Sequence, residues 1–311
     1  MESPWDHRIQ DELSSLKSSQ SFRTLRNVEG LIDFMSNDFL GLGRQKITLQ
    51  GGSSGGSRLM GGNNSLVEEL EEQIATFHQT PSALLFGSGY LANLGAIQSL
   101  ADKHVVILYD EFVHASIRMG IQGSLSKSYK FKHNDLNHLE ELLKKQKTPV
   151  MVVTESLFSM HADWPDFKAL VDLKQRYGFL LMVDEAHSSG LYEKGASAIE
   201  HLGLSEHVNV RVVTYGKAFG WQGASVLSSV PLRHVLINKA KSFIYTTAAS
   251  DVVLEGLRKR YADIAIADKE RNLLKENLQQ FGQDTSNGLY SPIVLLRGEV
   301  EFLKGVEEAL I

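Results

Sequence analysis

Apolar residues in this chain come in short blocks separated by longer amphipathic stretches. Six runs, at 83–86, 105–109, 150–153, 179–183, 208–213 and 224–227, are mostly apolar instead of alternating. Such runs mark strands buried on both faces. Between several of them apolar positions recur at helical spacing, as over 136–143 and 167–177. Strand–helix alternation of this kind predicts an α/β domain around a largely parallel sheet.

The flanks read differently. Residues 1–28 are polar and helical in character, and 31–35 read as a short strand. The six glycines between Gly51 and Gly62 are too many for the interior of an element, so this stretch reads as a loop. Ser65-Leu66-Val67-Glu68 has capping-box spacing, and Leu66, Leu70, Ile74 and Phe77 then recur at helical period. After Thr247 the pattern predicts one long charged helix over 251–280, a strand at 293–296 and a helix over 299–310. Three parts are expected: an N-terminal segment 1–45, a large α/β domain 46–250, and a small α+β C-terminal domain 251–311.

At 311 residues and 42% hydrophobic composition, there is material for one large core. The net charge of −5, with no basic stripe, argues against nucleic acid as a partner. The absence of cysteine excludes disulfides and thiolate metal sites. The first residues lack a secretion-signal pattern, and no apolar run is long enough to span a bilayer. A cytoplasmic protein is the expectation.

Ligands of parallel α/β sheets gather at the strands' carboxyl ends. Ser88, Gly89, His114, Ser159, Asp184 and Thr214 all follow one of the apolar runs closely, and Lys217 comes just after the fifth. A lysine at one strand end and an acid at another are the groups a pyridoxal phosphate (PLP) site needs most. The amine holds the aldehyde as a Schiff base, and the carboxylate keeps the ring nitrogen protonated. Each has a plainer reading: a lysine among glycines is usually a solvated loop cation, and an Asp closing a strand is often a helix cap. Gly87-Ser88-Gly89 suits a phosphate at a helix N-terminus or an ordinary tight turn. His114 suits a stacking partner or a helix start. His187, three after Asp184, suits the same pocket, and no third residue completes a metal site. His133 and His138 read as surface residues. The Gly51–Gly62 stretch lacks the Gly-Lys-Ser/Thr ending of a P-loop, and no Gly-x-Ser-x-Gly elbow occurs.

The joint pattern is more telling. Ser36-Asn37-Asp38-Phe39-Leu40-Gly41-Leu42, Gly55-Gly56-Ser57-Arg58-Leu59 and the stretch 83–93 are followed by His114-Ala115-Ser116 and by the stretch 154–160. Asp184-Glu185-Ala186-His187 and Thr214-Tyr215-Gly216-Lys217-Ala218-Phe219-Gly220 complete the series. In this order the motifs resemble the α-oxoamine synthases, PLP-dependent enzymes of fold type I. The likeness runs from about Leu31 to Thr247. It implies the type I transferase fold, PLP as cofactor and a homodimer. It implies that Lys217 bonds to the aldehyde, Asp184 pairs with the ring nitrogen and His114 stacks on the ring. His187 and Ser159 would contact the ring hydroxyl or the substrate. Ser88, Gly89, Tyr90 and Thr214 would hold the phosphate, Thr246 or Thr247 would reach a neighbouring subunit's cofactor, and Asn37 would line the entrance.

Within the family the likeness is greatest to the branch that condenses L-alanine with a pimeloyl thioester, on coenzyme A or a carrier protein, in biotin synthesis. Glycine or serine as amino acid, or a PLP-binding but catalytically silent protein, are the alternatives. The family's C-terminal region, with an arginine for the amino-acid carboxylate, finds no match after Ile311, so the last domain is expected to be incomplete. The segment between Gly43 and Gly51 is shorter than in the family. His161-Ala162 also stands where the family has Asp-Gly.

Overall fold

The computed structural model describes residues 4–23, 36–45, 47–48, 51–285 and 288–295. The chain divides into two compact units, Met1–Met35 with Leu296–Ile311, and Ser36–Leu295. The boundaries expected at 45 and 250 both fall inside the second unit. In the first, helix α1 (Pro4–Ser18) matches the helical character expected there. The strand expected at 31–35 and the helix expected at 299–310 lie outside the described residues.

The second unit is built on one sheet of seven strands. They are β1 (Ser82–Phe86), β2 (Val106–Asp110), β3 (Lys127–Phe131), β4 (Val150–Glu155), β5 (Leu180–Asp184), β6 (Val210–Thr214) and β7 (Ala224–Ser228). Their order is β1-β7-β6-β5-β4-β2-β3. The strands from β6 to β3 run parallel, and β7 is antiparallel to both of its neighbours. All six expected strands are present within two residues. β3 was not expected, because Lys127-Ser128-Tyr129-Lys130 is exposed and polar at the sheet's edge, where charge discourages further pairing.

Helices α2 (Ser65–Phe77), α3 (Gly89–Leu100), α4 (Ala115–Gly123), α5 (Leu136–Leu143) and α6 (Phe167–Tyr177) come first. Then follow α7 (Ala198–His201), α8 (Val230–Lys239), α9 (Lys241–Ile244), α10 (Asp251–Ala265) and α11 (Asp268–Gln280). Successive strand residues face opposite sides, so the core divides in two. Leu108, Val152, Leu181, Val183 and Val213 share one cluster with residues of α2, α5, α6 and α10. Ile107, Met151, Val153, Met182 and Val212 share the other with α3, α4, α8 and α9. This two-sided cover is why the strands read as apolar runs.

Three local expectations differ from the structure. The cap of α2 is Asn64, whose side chain accepts the Val67 N–H at 3.1 Å, one residue before the expected Ser65. The long charged helix breaks at Ile266–Ala267 into α10 and α11. Residues 293–295 form no strand.

Candidate active site

The carboxyl ends of β4, β5 and β6 meet the turn after β1 around a cavity of about 340 Å³. Asp184, the last residue of β5, is 5% exposed. Its Oδ2 accepts from Asn93 Nδ2 at 2.6 Å and its Oδ1 from the Ala186 N–H at 2.9 Å. Asn93, on α3, also donates to Ser116 Oγ at 3.0 Å, and Ser116 Oγ lies 2.7 Å from His114 Nδ1. Since His114 Nδ1 also accepts the Ser116 N–H at 3.2 Å, its ring proton belongs on Nε2. His114 is thus the cap of α4 as well as a cavity wall, so the helix-start reading holds. Its own N–H donates to Glu155 Oε1 at 2.5 Å.

Burial dictates the electrostatics. Lys217 lines the cavity from the turn after β6, and burial holds its amine below the usual lysine range although the charges of Asp184 and Glu155 work against this. Burial, then the charge of Asp184, pushes the Glu155 carboxyl up to about 8. Burial, then Lys217 and His114, brings His187 down to about 3. Each shift reduces the number of charges kept out of water, as a low-dielectric site requires.

The far end of the cavity is made of small groups. Ser88 caps α3 by accepting the Leu91 N–H at 3.3 Å. A Cβ on Gly89 would lie 2.5 Å from Thr214 Cγ2, so glycine lets the helix start approach β6. First-turn N–H groups of a helix have no carbonyl partner of their own, and such an end attracts anions. Two atoms on the cavity residues, Asn93 Oδ1 and His187 Nδ1, are buried without a hydrogen-bond partner. An acid, an amine, a flat imidazole and a small-residue helix start in one cavity form a donor set that suits a phosphorylated pyridine aldehyde.

The family model for aminotransferase class I and II matches residues 29–287. The chain belongs to this family. A putative 8-amino-7-oxononanoate synthase of Halalkalibacterium halodurans is 36% identical over 93% of this chain and 78% of its own length. The 8-amino-7-oxononanoate synthase of Chlorobaculum parvum is 37% identical over 81% of this chain and 72% of its own. Among solved structures, the 8-amino-7-oxononanoate synthase of Francisella tularensis superposes with a TM-score of 0.73 at 26% identity, covering 91% of this chain and 87% of that one. A serine palmitoyltransferase from S. paucimobilis with bound PLP-myriocin aldimine gives 0.78 at 23% identity, a likeness of fold. The fold is that of the type I PLP-dependent transferases, and the resemblance to the α-oxoamine synthases stands.

Of the residues singled out from the sequence, this family member brings Asn37, Ser88, Gly89, Tyr90, His114, Asp184, His187, Thr214 and Lys217 to the one cavity. Ser159 is not among its lining residues. It is half-buried on the tight turn from Phe158 to Asp163, where the Ala162 N–H donates to the Phe158 carbonyl at 2.8 Å. Ala162 takes a left-handed φ of 56°, where the family's glycine would sit without strain. Thr246 and Thr247 line a separate small cavity with Arg58.

His133 is no surface residue. Its Nδ1 lies 2.9 Å from Asp110 and its Nε2 3.1 Å from Asp163; burial lowers its pKa, but these two carboxylates outweigh it and raise the value. His138, half-buried, accepts the Lys132 N–H at 3.1 Å. Glu155, Asn93, Ser116, Trp221 and Gln222 line the site and were not singled out. All five lay inside or directly beside recognised motifs, but nothing local marks a strand-end Glu as buried.

Proposed function

We propose that this chain binds PLP in the cavity at the strand ends and catalyses a decarboxylative condensation of L-alanine with a pimeloyl thioester. The products are 8-amino-7-oxononanoate, CO2 and the free thiol, in biotin synthesis. One observation carries the reading: Lys217, its amine depressed by burial, lines the same cavity as Asp184, whose oxygens are already oriented by Asn93 and Ala186.

Bound PLP supplies an electron sink, a protonated pyridine ring that accepts the charge left when a bond to the amino acid's α-carbon breaks. The residues do the rest. Lys217 would hold the aldehyde, and its free amine would be the base for the α-proton; a depressed pKa favours both duties. Asp184 would pair with the ring nitrogen and keep its proton in place. Asn93 fixes that carboxylate and, through Ser116, the His114 ring that would pack on the cofactor. His187, neutral and with a free Nδ1, and Ser159 would contact the ring hydroxyl or the substrate carboxylate. Ser88, Gly89, Tyr90 and Thr214 take the phosphate.

Asn37 lines the entry for the amino acid. Thr246 and Thr247 serve a partner subunit's cofactor in a homodimer, and the enzyme works in the cytoplasm. The acyl carrier is coenzyme A or a carrier protein.

The test is to load the protein with PLP, add pimeloyl-CoA and L-alanine, and measure CO2 and free thiol, with glycine and serine in parallel. Equimolar release with alanine supports the reading. Release with glycine or serine instead moves the chain to another α-oxoamine synthase, and PLP binding without release marks it as catalytically silent.

A further inference from the structure

Trp221 stands four residues beyond Lys217. The Gly220 N–H donates to the Lys217 carbonyl at 2.8 Å, and the Trp221 N–H to the Tyr215 carbonyl at 2.8 Å. Residues 215–221 therefore form a closed turn with the lysine at its middle. From that turn the indole reaches across to α10, and its Nε1–H donates to the Val253 carbonyl at 2.9 Å.

The ring then occupies the space a side chain at 256 would need. A Cβ on Gly256 would lie 2.0 Å from Trp221 Cζ2 and 2.5 Å from Cε2. A glycine inside a helix costs about 1 kcal/mol relative to alanine, so its presence in α10 calls for a packing reason, and the indole is that reason. One turn on, the Arg260 guanidinium sits 5.9 Å from the ring centroid. Arg260 is 1% exposed and is itself held by the Gln45 carbonyl at 2.9 Å and by Asp263 at 3.2 Å. Positions 253, 256 and 260 are three and four apart, so one face of α10 is built around this one side chain. Trp221 also lines the cavity beside Lys217.

We propose that Trp221 is a positioning residue for Lys217: locked between the Val253 carbonyl, Gly256 and Arg260, its indole pins the lysine turn to α10 and keeps water from one side of the amine. The inference deepens the PLP reading, since the condensation needs a lysine that is easily neutral. Burial is what depresses this amine, and Asp184 and Glu155 oppose that effect, so a turn that loosened would return Lys217 to ordinary behaviour. His114 and His187 share the cavity and lie on other elements, which leaves the pin to α10.

The test needs no cofactor. The full chain, freed of PLP, is acetylated competitively across a pH series, and peptide mass spectrometry reports the titration midpoint of each lysine. Lys174 is the internal reference: it is also depressed by burial, but it bonds to the His207 carbonyl at 2.5 Å, away from this turn. Gly256→Ala is expected to push the indole aside and raise the Lys217 midpoint towards that of an exposed lysine, leaving Lys174 in place. Trp221→Phe, which lacks the N–H and the outer ring, is expected to raise it less and covers the case in which Gly256→Ala does not fold. Because phenylalanine leaves room for the new methyl, the Trp221→Phe/Gly256→Ala pair is expected to lie closer to the parent than Gly256→Ala alone.

The proposal is overturned if neither single substitution moves Lys217, if Lys217 and Lys174 move together, or if the pair recovers nothing. A chain that passes while PLP fails to bind would sink the cofactor reading and leave the pin standing. A chain that binds PLP but shows no shift would sink the pin alone.

Discussion

Glu155 and Asp184 are register partners at the carboxyl ends of β4 and β5, and both line the same cavity. Two carboxyls so placed cannot both ionise cheaply. Asp184 has two N–H donors on its oxygens, whereas Glu155 accepts from the His114 N–H. Burial and the neighbouring Asp184 raise the Glu155 carboxyl to about 8, so Glu155 holds a proton near neutrality.

Glu155 should make stability pH-dependent with a definite sign. Its pKa rises from the ordinary 4.5 to about 8 on folding, so between those values the folded chain keeps a proton that the unfolded chain releases. This contribution is present below pH 4.5 and is lost as pH rises through about 8. Glu155→Gln, which mimics the protonated form, should match the parent in acid and exceed it increasingly towards pH 8 in urea denaturation. A constant difference across that range would show that Glu155 holds no such proton.

Lys217→Ala should still bind PLP through the other cavity groups but form no borohydride-reducible covalent adduct, as seen in the mass of the reduced protein. An adduct of undiminished yield would place the aldehyde on a different lysine.

Gly89→Ala should overpack the contact with Thr214 Cγ2. Overpacking costs about 1–3 kcal/mol, which is roughly fivefold or more in PLP affinity if it falls on the phosphate end. Thr214→Ser removes the offending methyl and should restore most of that loss in the double variant. Equal PLP titrations for parent and Gly89→Ala would contradict the close approach.

Arg211 tests the scaffold beneath the site. It is 2% exposed, with Nε 2.6 Å from Glu185 and Nη2 2.5 Å from Glu200, and Glu185 directly follows Asp184. Removing one member strands a buried charge, so Arg211→Leu should cost about 3–5 kcal/mol, read as a lower urea midpoint at unchanged slope. A loss below about 1 kcal/mol would mean that water or another cation replaces the guanidinium.

The architecture was legible where burial on both faces left a continuous apolar run, which is why six strands could be placed and the edge strand β3 could not. The site was legible where strand ends carry chemistry: Asp184, Lys217, Thr214 and His114 were found because parallel sheets expose those positions. Ser159 and Asn93 mark the limit. Ser159 follows a strand and sits half-buried on the turn from Phe158 to Asp163, outside the lining residues, and Asn93, though it closes the recognised stretch 83–93, looks like an ordinary helix residue until α3 is laid against β5.

Taken alone, the sequence determined the kinds of element, their order, the absence of thiol chemistry and the motifs that place the chain among the α-oxoamine synthases. Those properties depend on neighbours along the chain, through side-chain period, backbone preference and residue type. The tertiary structure decided that Glu155 is raised, why Lys217 is depressed, that half-buried His133 lies between two acids, and that α10 is shaped around Trp221. These are through-space quantities: burial and the distance between charges arise only when residues remote in sequence meet, so no local pattern encodes them.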